Sequence, residues 1–559
     1  MIGRTDLWYK DAVIYCLDVE TYQDSDGDGV GDFIGLTARL DYLVELGITC
    51  IWLSPFFPTP NRDNGYDISD YYGVDERLGT LGDFVDFARA AKERGIRIIA
   101  DLVVNHTSDQ HPWFQAARRD PNSRYRDFYV WSKTLPADAT EGIIFPGEQE
   151  SVWTWDEEAE LYYMHRFYEH QPDLNVANGA VREEIRKIMG YWLELGVSGF
   201  RVDAVPFFIE HKGIHPKHID EDEDPFGYLD QMREFLQWRK GDAVLLAEAN
   251  IPMEEAIDYF GESGQRMHLI FHFPANQALF LALARREATP LARVLAANPE
   301  IPKTSQWAQF LRNHDELDIG RLSDAEREEV FADMGPDEHM QLFERGIRRR
   351  LAPMLGGERA RIELAYSLML SMPGTPVFWY GQEIGMGDDL SLEGRSAVRT
   401  PMQWSPERNG GFSDAPSNAV VRPVLVDGDY GYPVLNVREQ RRDPDSLLRW
   451  MEHMIHVRRD CPEWGWGRCT VLDTANPALL AYGAQWEDGR VVAVHNMADA
   501  GCTVTIALDG CAGGEISDLL RHEPYQLDDD RLTLDLEPYA YRWFRVVTRN
   551  GRPPLRSAL

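Results

Sequence analysis

Basic side chains and cysteines are both scarce in this sequence of 559 residues. It has 57 lysines and arginines against 92 aspartates and glutamates, which gives a formal net charge of −35 at pH 7. A field of that sign repels phosphate backbones and anionic lipid headgroups, so we expect neither nucleic acid nor a membrane as a partner. The few cysteines form no CxxC pair, which predicts free thiols rather than a zinc site or a redox pair. They are Cys16, Cys50, Cys461, Cys469, Cys502 and Cys511.

Long hydrophobic runs are absent as well. No apolar stretch approaches the roughly 18 to 20 residues that a membrane span requires. The first residues, "MIGRTDLWYKDAVIY", carry charges where a signal peptide would place its apolar segment. We therefore expect a globular protein of the cytoplasm, with 44% hydrophobic residues to build its cores. Its oligomeric state is left open, a homo-oligomer included.

The sequence does contain a regular alternation of short apolar runs and amphipathic stretches. Eight runs predict strands at 12–19, 50–55, 96–106, 199–205, 243–250, 268–273, 307–316 and 375–385. Between several of them lie stretches with helical spacing, such as 80–95 and 180–196. Strands and helices that alternate on this scale predict parallel β/α units. Eight such units predict the α/β fold known as the (β/α)8 TIM barrel.

Two irregular spacings and a change of texture predict the domain organisation. Residues 107–178 are aromatic and turn-rich, which predicts an inserted B subdomain after the third strand. Residues 317–365 predict a charged helical insertion after the seventh strand. From residue 466 onward the apolar runs alternate without a helical period, which predicts a C-terminal antiparallel β-sandwich domain at 466–559. The catalytic barrel is then expected to comprise 1–106 and 179–465.

Polar side chains cluster where four of the predicted strands end. They are Asp101, Asn105 and His106; Arg201 and Asp203; Glu248; and His314 with Asp315. Any one of them alone would more often be an ordinary loop residue, but the active site of a β/α barrel is built at these strand ends. Two carboxylates that flank a glycosidic bond can act as nucleophile and general acid/base, as in retaining glycosidases. A third can stabilise an oxocarbenium-like transition state.

At these residues the chain resembles the α-amylase family of glycoside hydrolases and transglycosylases. The segments "DLVVNH", "QPDLN", "GFRVDAV", "LLAEAN" and "FLRNHD" stand in the family's order and approximate spacing. The resemblance implies that Asp203 is the nucleophile, Glu248 the acid/base and Asp315 the transition-state stabiliser. It also implies that His106 and His314 bind hydroxyls of the sugar that is cleaved.

Arg201 and the complete set of acids favour an enzyme over a binding protein. Arg201 lies two residues before Asp203 on the same side of the strand, where its charge would keep that carboxylate ionised. Some members of the superfamily have lost catalysis and serve as binding subunits, and these lack one or more of the three acids. All three are present here.

The stretch "DSDGDGVGD" has the residue spacing of a calcium loop. Asp24, Asp26, Asp28 and Asp32 take the places of EF-hand carboxylate ligands, and Val30 offers its carbonyl. Position 12 is Gly35 rather than glutamate, and a strand precedes the stretch, so an EF-hand is not expected. The alternative is a solvated acidic turn. Four carboxylates this close repel one another without a cation, which favours a metal site over such a turn. The resemblance implies that the matching loop binds a structural calcium ion.

A second calcium site is implied by the branch of the family that contains trehalose synthases. Its ligands would be the side chains of Asn105, Asp173 and Glu210, together with the backbone carbonyls of Phe207 and Phe208. No phosphate-binding glycine loop is recognisable, and the mechanism requires no organic cofactor.

The resemblance also predicts the size of the substrate. Tyr66 and Asp67 in "GYDISDY", with Arg399 in "VRTPMQW", resemble residues that close the glucose pocket in exo-acting members. An incidental surface pair is the alternative. A closed pocket disfavours an endo-acting amylase and predicts a small α-glucoside such as maltose or trehalose as substrate.

Within the exo-acting members, trehalose synthases are the most similar branch, through segments such as "HTSDQHPWFQAARRDP" and "MPGTPVFWYGQEIGMGDD". These enzymes isomerise maltose to trehalose through a glucosyl-enzyme. The stretch "CLDVETYQ" at 16–23 departs from the pattern of that branch. An α-glucosidase or transglucosylase that acts on small α-glucosides is therefore the alternative.

Overall fold

The computed structural model describes residues 6–210, 212, 224–508, 515–521 and 524–547. Eight parallel strands form a closed barrel in which neighbours in the chain are also neighbours in the sheet. They are Ile14–Leu17, Cys50–Leu53, Arg97–Leu102, Gly199–Val202, Val244–Ala247, Leu269–Phe271, Gln306–Phe310 and Thr375–Trp379. The predicted (β/α)8 barrel is confirmed, and each strand overlaps a stretch that the sequence predicts to be a strand.

The α-helices surround the barrel and cover its strands. They are Phe33–Ala38, Leu40–Leu46, Leu81–Glu93, Pro112–Arg119, Gly179–Glu194, Val205–Phe208, Gly227–Arg239, Ala256–Phe260, Phe273–Arg285, Thr289–Ala297, Asp324–Met334, Leu351–Met354, Arg359–Ser371, Val437–Arg442, Leu447–Arg459 and Glu463–Trp466. The helix Leu81–Glu93 illustrates how local sequence sets a boundary. Thr80 and Asp83 form a reciprocal capping box at its start, and Phe84 and Phe87 are buried on its inner face.

The strand register places charged side chains next to one another at the carboxyl end of the barrel. Asp101 on the third strand is the Cα partner of Arg201 on the fourth. Arg201 is in turn the partner of Leu246 on the fifth strand. Since Asp203 and Glu248 directly follow these strands, the register brings four ionisable residues to one place.

A small antiparallel sheet lies between the third and fourth barrel strands, in the segment predicted to be a B subdomain. Its strands are Trp131–Ser132, Leu161–Met164 and Trp153–Asp156, in that spatial order. A bridge between His106 and Asp173 joins the two ends of this segment at the top of the barrel.

The segment that follows the seventh barrel strand is only partly helical, which corrects the prediction of a helical insertion at 317–365. The helix Asp324–Met334 is flanked by a three-stranded sheet of Leu317–Asp318, Gly346–Ile347 and Gln341–Leu342. Two-residue strands are too short to leave a period in the sequence, so they were indistinguishable from loop.

The C-terminal part of the chain consists of two antiparallel sheets, as predicted. The larger has the order Arg468–Leu472, Leu479–Trp486, Gly489–Asn496, Tyr541–Val547, Glu515–Asp518 and Pro524–Gln526, and the smaller pairs Cys502–Ala507 with Arg531–Leu536. Apolar side chains of both sheets share one core, which includes Val492, Val494, Ile506 and Leu532. Cys511 and residues 548–559 lie outside the described residues.

The five cysteines that the structure describes are all free, in agreement with the expectation from their spacing. Within the described part of the chain, no helix is both long and apolar enough to cross a membrane.

Candidate active site

Arg201 is the centre of a buried cluster of acids at the carboxyl end of the barrel. Its guanidinium contacts Asp101 Oδ1 at 2.7 Å and Glu248 Oε2 at 2.7 Å, and it also pairs with Asp203. The Arg201 side chain is only 1% exposed. One cation therefore holds three carboxylates together away from bulk water, which compensates much of the cost of burying them.

A strained turn directly after Asp203 positions the second acid. Ala204 adopts a left-handed conformation with φ of 48°, which is unfavourable for a residue with a Cβ. Its amide donates to Glu248 Oε2 at 3.0 Å, and the amide of Val205 donates to the Glu248 carbonyl at 3.1 Å. The turn therefore couples the positions of Asp203 and Glu248.

Asp315 approaches the same site from the end of the seventh barrel strand. Its carboxylate contacts Arg399 Nη2 at 3.0 Å, Arg395 Nη1 at 3.1 Å and His314 Nε2 at 3.2 Å. Burial raises the pKa of Asp315, but Arg395, the neighbouring histidine and Arg399 bring it below its ordinary value. Asp315 is therefore an anion at neutral pH.

The other two acids of the cluster have raised pKa values. Burial raises the pKa of Glu248 to about 7 and that of Asp203 to about 6, and in both cases Arg201 opposes the shift. A carboxyl group with a pKa near 7 can donate and accept a proton at neutral pH. The carboxylate of Asp203 is ionised at neutral pH, in line with the role predicted for Arg201.

The predicted sugar-binding histidines and Tyr66 are in mutual contact. The Tyr66 hydroxyl lies 2.7 Å from His314 Nε2, and the two rings are stacked. His106 Nε2 lies 3.2 Å from the Tyr66 carbonyl oxygen. Burial lowers the pKa of His106 to about 4 and that of His314 well below its ordinary value, so both rings are neutral at pH 7.

Asp67 is not the partner of Arg399, which corrects the predicted pocket-closing pair. Its carboxylate accepts hydrogen bonds from the backbone amides of Arg62 and Asp63, at 3.0 and 3.1 Å, and from the Thr59 hydroxyl at 2.9 Å. Arg399 instead donates to the carboxylate of Asp315. Asp67 is fully buried, and its hydrogen bonds hold the loop rather than a substrate.

Asp63 is one residue of the site that the sequence analysis missed. It accepts a hydrogen bond from Gln171 Nε2 at 2.7 Å. Burial raises its pKa to about 6, while the charges of Arg395 and Arg399 lower it. Asp63 is thus the acid of the "RDNGYD" stretch whose charge interacts with Arg399. A signal was present in the sequence, because Asp63 lies only four residues before Asp67.

The divergent stretch at 16–23 also contributes to this side of the site. Asp18 and Glu20 are buried, and Arg422 contacts them at 3.7 and 3.1 Å. Arg422 Nη1 also donates to the Arg399 carbonyl oxygen at 3.2 Å. The residues that depart from the trehalose synthase pattern therefore support the segment that carries Arg399.

Two phenylalanines flank Arg395 above Asp315. The guanidinium lies 5.2 Å from the ring centroid of Phe145 and 5.5 Å from that of Phe343. Phe145 comes from the segment between the third and fourth strands, and Phe343 from the segment after the seventh. Arg395 also pairs with Glu316 at 2.7 Å. These residues join two insertions over the acids and narrow access to them.

Three of the predicted calcium ligands are close together. Ligand oxygens of Asp24, Asp26 and Asp28 lie within 4.8 Å of one another, which suits a hard cation. Asp32 lies outside this group of three, and its carboxylate accepts from the amides of Ser25 and Gly35 and caps the helix Phe33–Ala38. The three-carboxylate cluster, with the Val30 carbonyl two residues further on, fits a calcium ion.

The residues predicted for a second calcium do not fit one. The ammonium of Lys212 lies 2.6 Å from Asn105 Oδ1 and 2.8 Å from Asp173 Oδ2, and all three side chains are buried. Glu210 pairs instead with Arg166 at 2.5 Å.

The carbonyls of Phe207 and Phe208 belong to a short helix close by. Since Lys212 already neutralises Asp173, the positive charge expected from the metal is supplied by the protein.

Comparisons with known proteins identify the family of the chain. A model of the alpha amylase catalytic domain matches residues 17–336 and 342–465, and one of the sucrose hydrolase-like C-terminal domain matches 489–545. The chain is 40% identical to a trehalose synthase of Pimelobacter sp. (strain R48), over 99% of each chain. It is 42% identical to a trehalose synthase/amylase of Mycobacterium tuberculosis, over 98% of this chain and 92% of the relative.

Among solved structures, a trehalulose synthase variant superposes with a TM-score of 0.76 at 26% identity, covering 96% of this chain and 100% of the other. The match to the catalytic-domain model spans well over half of the chain, and the two sequence relatives align over nearly all of it. The chain therefore belongs to the α-amylase family of glycoside hydrolases and transglucosylases.

Proposed function

We propose that this enzyme is a trehalose synthase, which interconverts maltose and trehalose by intramolecular transfer of a glucosyl group. The observation that carries the proposal is the cluster around Arg201, in which Asp203 and Glu248 are held together and Asp315 lies opposite as a stable anion. The two trehalose synthase relatives, at 40% and 42% identity over nearly the whole chain, support this branch of the family.

The proposed reaction is a double displacement on one glucose unit. Asp203 attacks the anomeric carbon of the non-reducing glucose, while Glu248 gives its proton to the departing glycosidic oxygen. The bond that breaks releases glucose, which turns within the pocket. Its anomeric hydroxyl then attacks the glucosyl-enzyme and returns the proton to Glu248, so that trehalose forms and Asp203 is freed. The anionic Asp315 stabilises the positive charge that develops at the anomeric carbon.

Exclusion of water decides between isomerisation and hydrolysis in this scheme. The side chains of Asp203 and Asp315 are only 9% and 15% exposed. The contact of Arg395 with Phe145 and Phe343 narrows the opening further. A released glucose in so narrow a site competes well with water for the glucosyl-enzyme. Tyr66, His106, Asp63 and the Arg399 segment are assigned to binding of the first glucose.

We assign one structural calcium ion to the cluster of Asp24, Asp26 and Asp28, with the Val30 carbonyl as a further ligand. The mutual repulsion of these carboxylates supports the assignment. We place the enzyme in the cytoplasm, because free thiols suit a reducing compartment.

Product analysis tests the proposed function. Purified protein is incubated separately with maltose, trehalose and sucrose, and every product is identified by chromatography. Maltose should yield trehalose, and trehalose should yield maltose, with glucose as a minor product. If glucose is the dominant product from maltose throughout the reaction, the chain is an α-glucosidase and the proposal is wrong.

Isotopic glucose distinguishes intramolecular transfer from transfer to another acceptor. When labelled glucose is added with unlabelled maltose, the trehalose formed should remain almost unlabelled. A fluorinated glucosyl donor that traps nucleophiles should modify Asp203, and the variant Glu248→Gln should lose turnover without loss of the fold. Labelling of another carboxylate would overturn the assignment of the nucleophile.

A further inference from the structure

A basic cavity lies on the flank of the molecule and shares no residue with the acid cluster. Its volume is about 670 Å³, which is within the range of ligand-binding pockets. The lining comprises four arginines and only two acids. The charged residues are Arg39, Arg438, Arg441, Arg442, Glu407 and Asp414. In a chain with a net charge of −35, a cavity with this excess of cations is exceptional. We propose that it binds a phosphate group, either as inorganic phosphate or as a phosphate monoester.

Two of the guanidiniums lie over neighbouring aromatic rings. Arg39 lies over the Trp404 ring at 4.1 Å, and Arg441 over the Tyr42 ring at 5.3 Å. The centroids of the two rings are 5.1 Å apart, and the rings meet edge to face. These contacts restrain both side chains at the cavity wall. A planar guanidinium matches the oxygens of a phosphate.

Arg39 carries a charge that no acid of the described chain compensates. Its Nε and Nη2 atoms both donate to Gln23 Oε1, at 2.7 and 2.5 Å, and no ion pair among the described residues includes it. Burial lowers the pKa of Arg39, and the like charge of Arg441 acts in the same direction. An anion in the cavity would compensate this charge.

Arg441 also has a donor without an acceptor. One of its terminal nitrogens pairs with Glu45, but its Nε is buried and has no hydrogen-bond partner among the residues that the structure describes. A buried N–H group without an acceptor is costly, and a phosphate oxygen would satisfy it. Two independent observations, an uncompensated charge and an unsatisfied donor, thus point to an anionic ligand between Arg39 and Arg441.

The remaining charges define the mouth of the cavity. Arg438 pairs with Glu407, and Arg442 pairs with Glu439 at 3.0 Å, so these two arginines are neutralised locally. Asp414 is exposed. Arg441 pairs with Glu45 in the same way, so the uncompensated charge is that of Arg39 and the unsatisfied donor is that of Arg441. The volume leaves space beside a bound phosphate for the sugar of a monoester.

Calorimetric titration with two phosphate compounds tests the proposal. Inorganic phosphate and glucose 1-phosphate are titrated into the purified enzyme at about pH 7.5, with sodium chloride at matched ionic strength as the reference. One site per chain is expected. Similar affinities would identify free phosphate as the ligand, whereas clearly tighter binding of glucose 1-phosphate would identify a monoester.

Two variants and a matched control localise the site. Arg39→Gln and Arg441→Gln should each weaken binding about tenfold or more, the effect of losing a charge-assisted hydrogen bond. Arg89 is an exposed arginine that pairs with Asp86 within the helix Leu81–Glu93, and neither residue lines the cavity. Arg89→Gln should therefore leave the affinity unchanged. Turnover of maltose should be unchanged in all three variants, which verifies their fold independently of phosphate.

Two outcomes would overturn the proposed phosphate site. One is that neither phosphate compound binds more strongly than chloride, and the other is that Arg39→Gln and Arg441→Gln both leave the affinities unchanged. Arg39 is the arginine that bonds Gln23, next to the calcium loop, so Arg441→Gln remains informative even if Arg39→Gln fails to fold. The titration measures binding alone, so the affinities do not depend on the proposed trehalose synthase activity, and thermal denaturation can replace turnover as the check of the fold.

Discussion

One buried guanidinium, that of Arg201, explains why three carboxyl groups with different proton affinities can share a small site. It stabilises the anions of Asp101 and Asp203, but burial is the larger effect for each, so their pKa values are raised to about 6. Burial and the neighbouring carboxylates Asp203 and Asp315 raise the pKa of Glu248 to about 7, against the charge of Arg201. Different pKa values on adjacent acids are what a nucleophile and an acid/base require.

The pH dependence of catalysis follows from these two pKa values. Asp203 must be ionised to attack, so kcat/KM for maltose should rise as the pH increases through about 6. Glu248 must be protonated to assist departure, so kcat/KM should fall as the pH increases through about 7. We expect a narrow optimum between these values, measured as initial rates from about pH 4.5 to 9.

A donor that needs no acid assigns the alkaline limb. α-Glucosyl fluoride releases fluoride without protonation, so its consumption should lose the fall above pH 7 and keep the rise near pH 6. If both donors show the same alkaline limb, Glu248 is not the group that titrates there.

The contrasting environments of Asp63 and Asp67 give a second prediction. Asp63→Ala removes a carboxylate whose charge interacts with Arg399. It should lower kcat/KM for maltose, with a loss of transition-state stabilisation of about 2 to 5 kcal/mol, and should change stability little. Asp67→Ala leaves two backbone amides and a hydroxyl without an acceptor, so it should lower the free energy of unfolding by about 1 to 3 kcal/mol. Thermal denaturation and kinetics of both variants check this. The reverse pattern would restore the original assignment to Asp67.

The acids of the candidate site could be located from the sequence because each follows a strand within a distinctive motif. The choice between Asp63 and Asp67 could not, since two aspartates four residues apart in one loop differ only in which hydrogen bonds the fold gives them. Lys212 was missed for a related reason. It meets Asn105 across 107 positions of the chain, and no local pattern links them.

The strands and helices were predictable to the extent that burial leaves a period in the sequence. Gly199–Val202 and Val244–Ala247 are buried throughout and were recognised as short apolar runs. The strands Gln341–Leu342 and Gly346–Ile347 were not, because two residues establish no alternation. The insertions thus depart from prediction where they reach over the barrel, while the barrel itself agrees with it.

The acidic cluster after the first strand and Lys212 after the fourth give a third prediction, on metal content. The purified enzyme should contain one calcium ion per chain, and chelation should lower the melting temperature while activity at low temperature largely survives. Lys212→Ala leaves Asp173 buried without a cation and should lower stability by about 3 to 5 kcal/mol. Both proteins are first saturated at the structural site. Further millimolar calcium should then raise the stability of the variant and leave that of the unmodified protein unchanged.

Elemental analysis and thermal denaturation measure both parts of this prediction. Two calcium ions per chain in the unmodified protein would show that Lys212 does not replace a metal. A melting temperature that does not change on chelation would refute the structural calcium at Asp24, Asp26 and Asp28.

The two insertions that meet over the barrel give a fourth prediction. Phe343→Ala removes one of the two rings that flank Arg395 and widens the opening above Asp315. More water should then reach the glucosyl-enzyme, so the fraction of maltose hydrolysed to glucose should rise relative to that converted to trehalose. Val434→Ala, at an exposed apolar residue outside the site, is a suitable control. An unchanged product ratio for Phe343→Ala would mean that this contact does not limit entry of water.

The assembled chain determines the length of substrate that the enzyme accepts. The barrel supplies the acids, and the segments after the third and seventh strands place Phe145 and Phe343 around Arg395, while the Arg422 contacts support the segment of Arg399 on the other side. A site enclosed from both sides is expected to accept a short α-glucoside in preference to a long chain. We therefore expect rapid turnover of maltose and almost none of soluble starch at equal concentrations of non-reducing ends.

Arg399→Ala tests whether this enclosure causes the selectivity. The substitution removes a charge that contacts Asp315 at 3.0 Å. We expect kcat/KM for maltose to fall, with a loss of transition-state stabilisation of about 2 to 5 kcal/mol. Hydrolysis should be favoured over transfer in the activity that remains, because a loosened pocket admits water to the glucosyl-enzyme. Chromatography of the products from maltose and from maltooligosaccharides of increasing length provides the measurement. Equal rates on maltose and on long starch chains in the unmodified protein would contradict the closed pocket and indicate an endo-acting amylase.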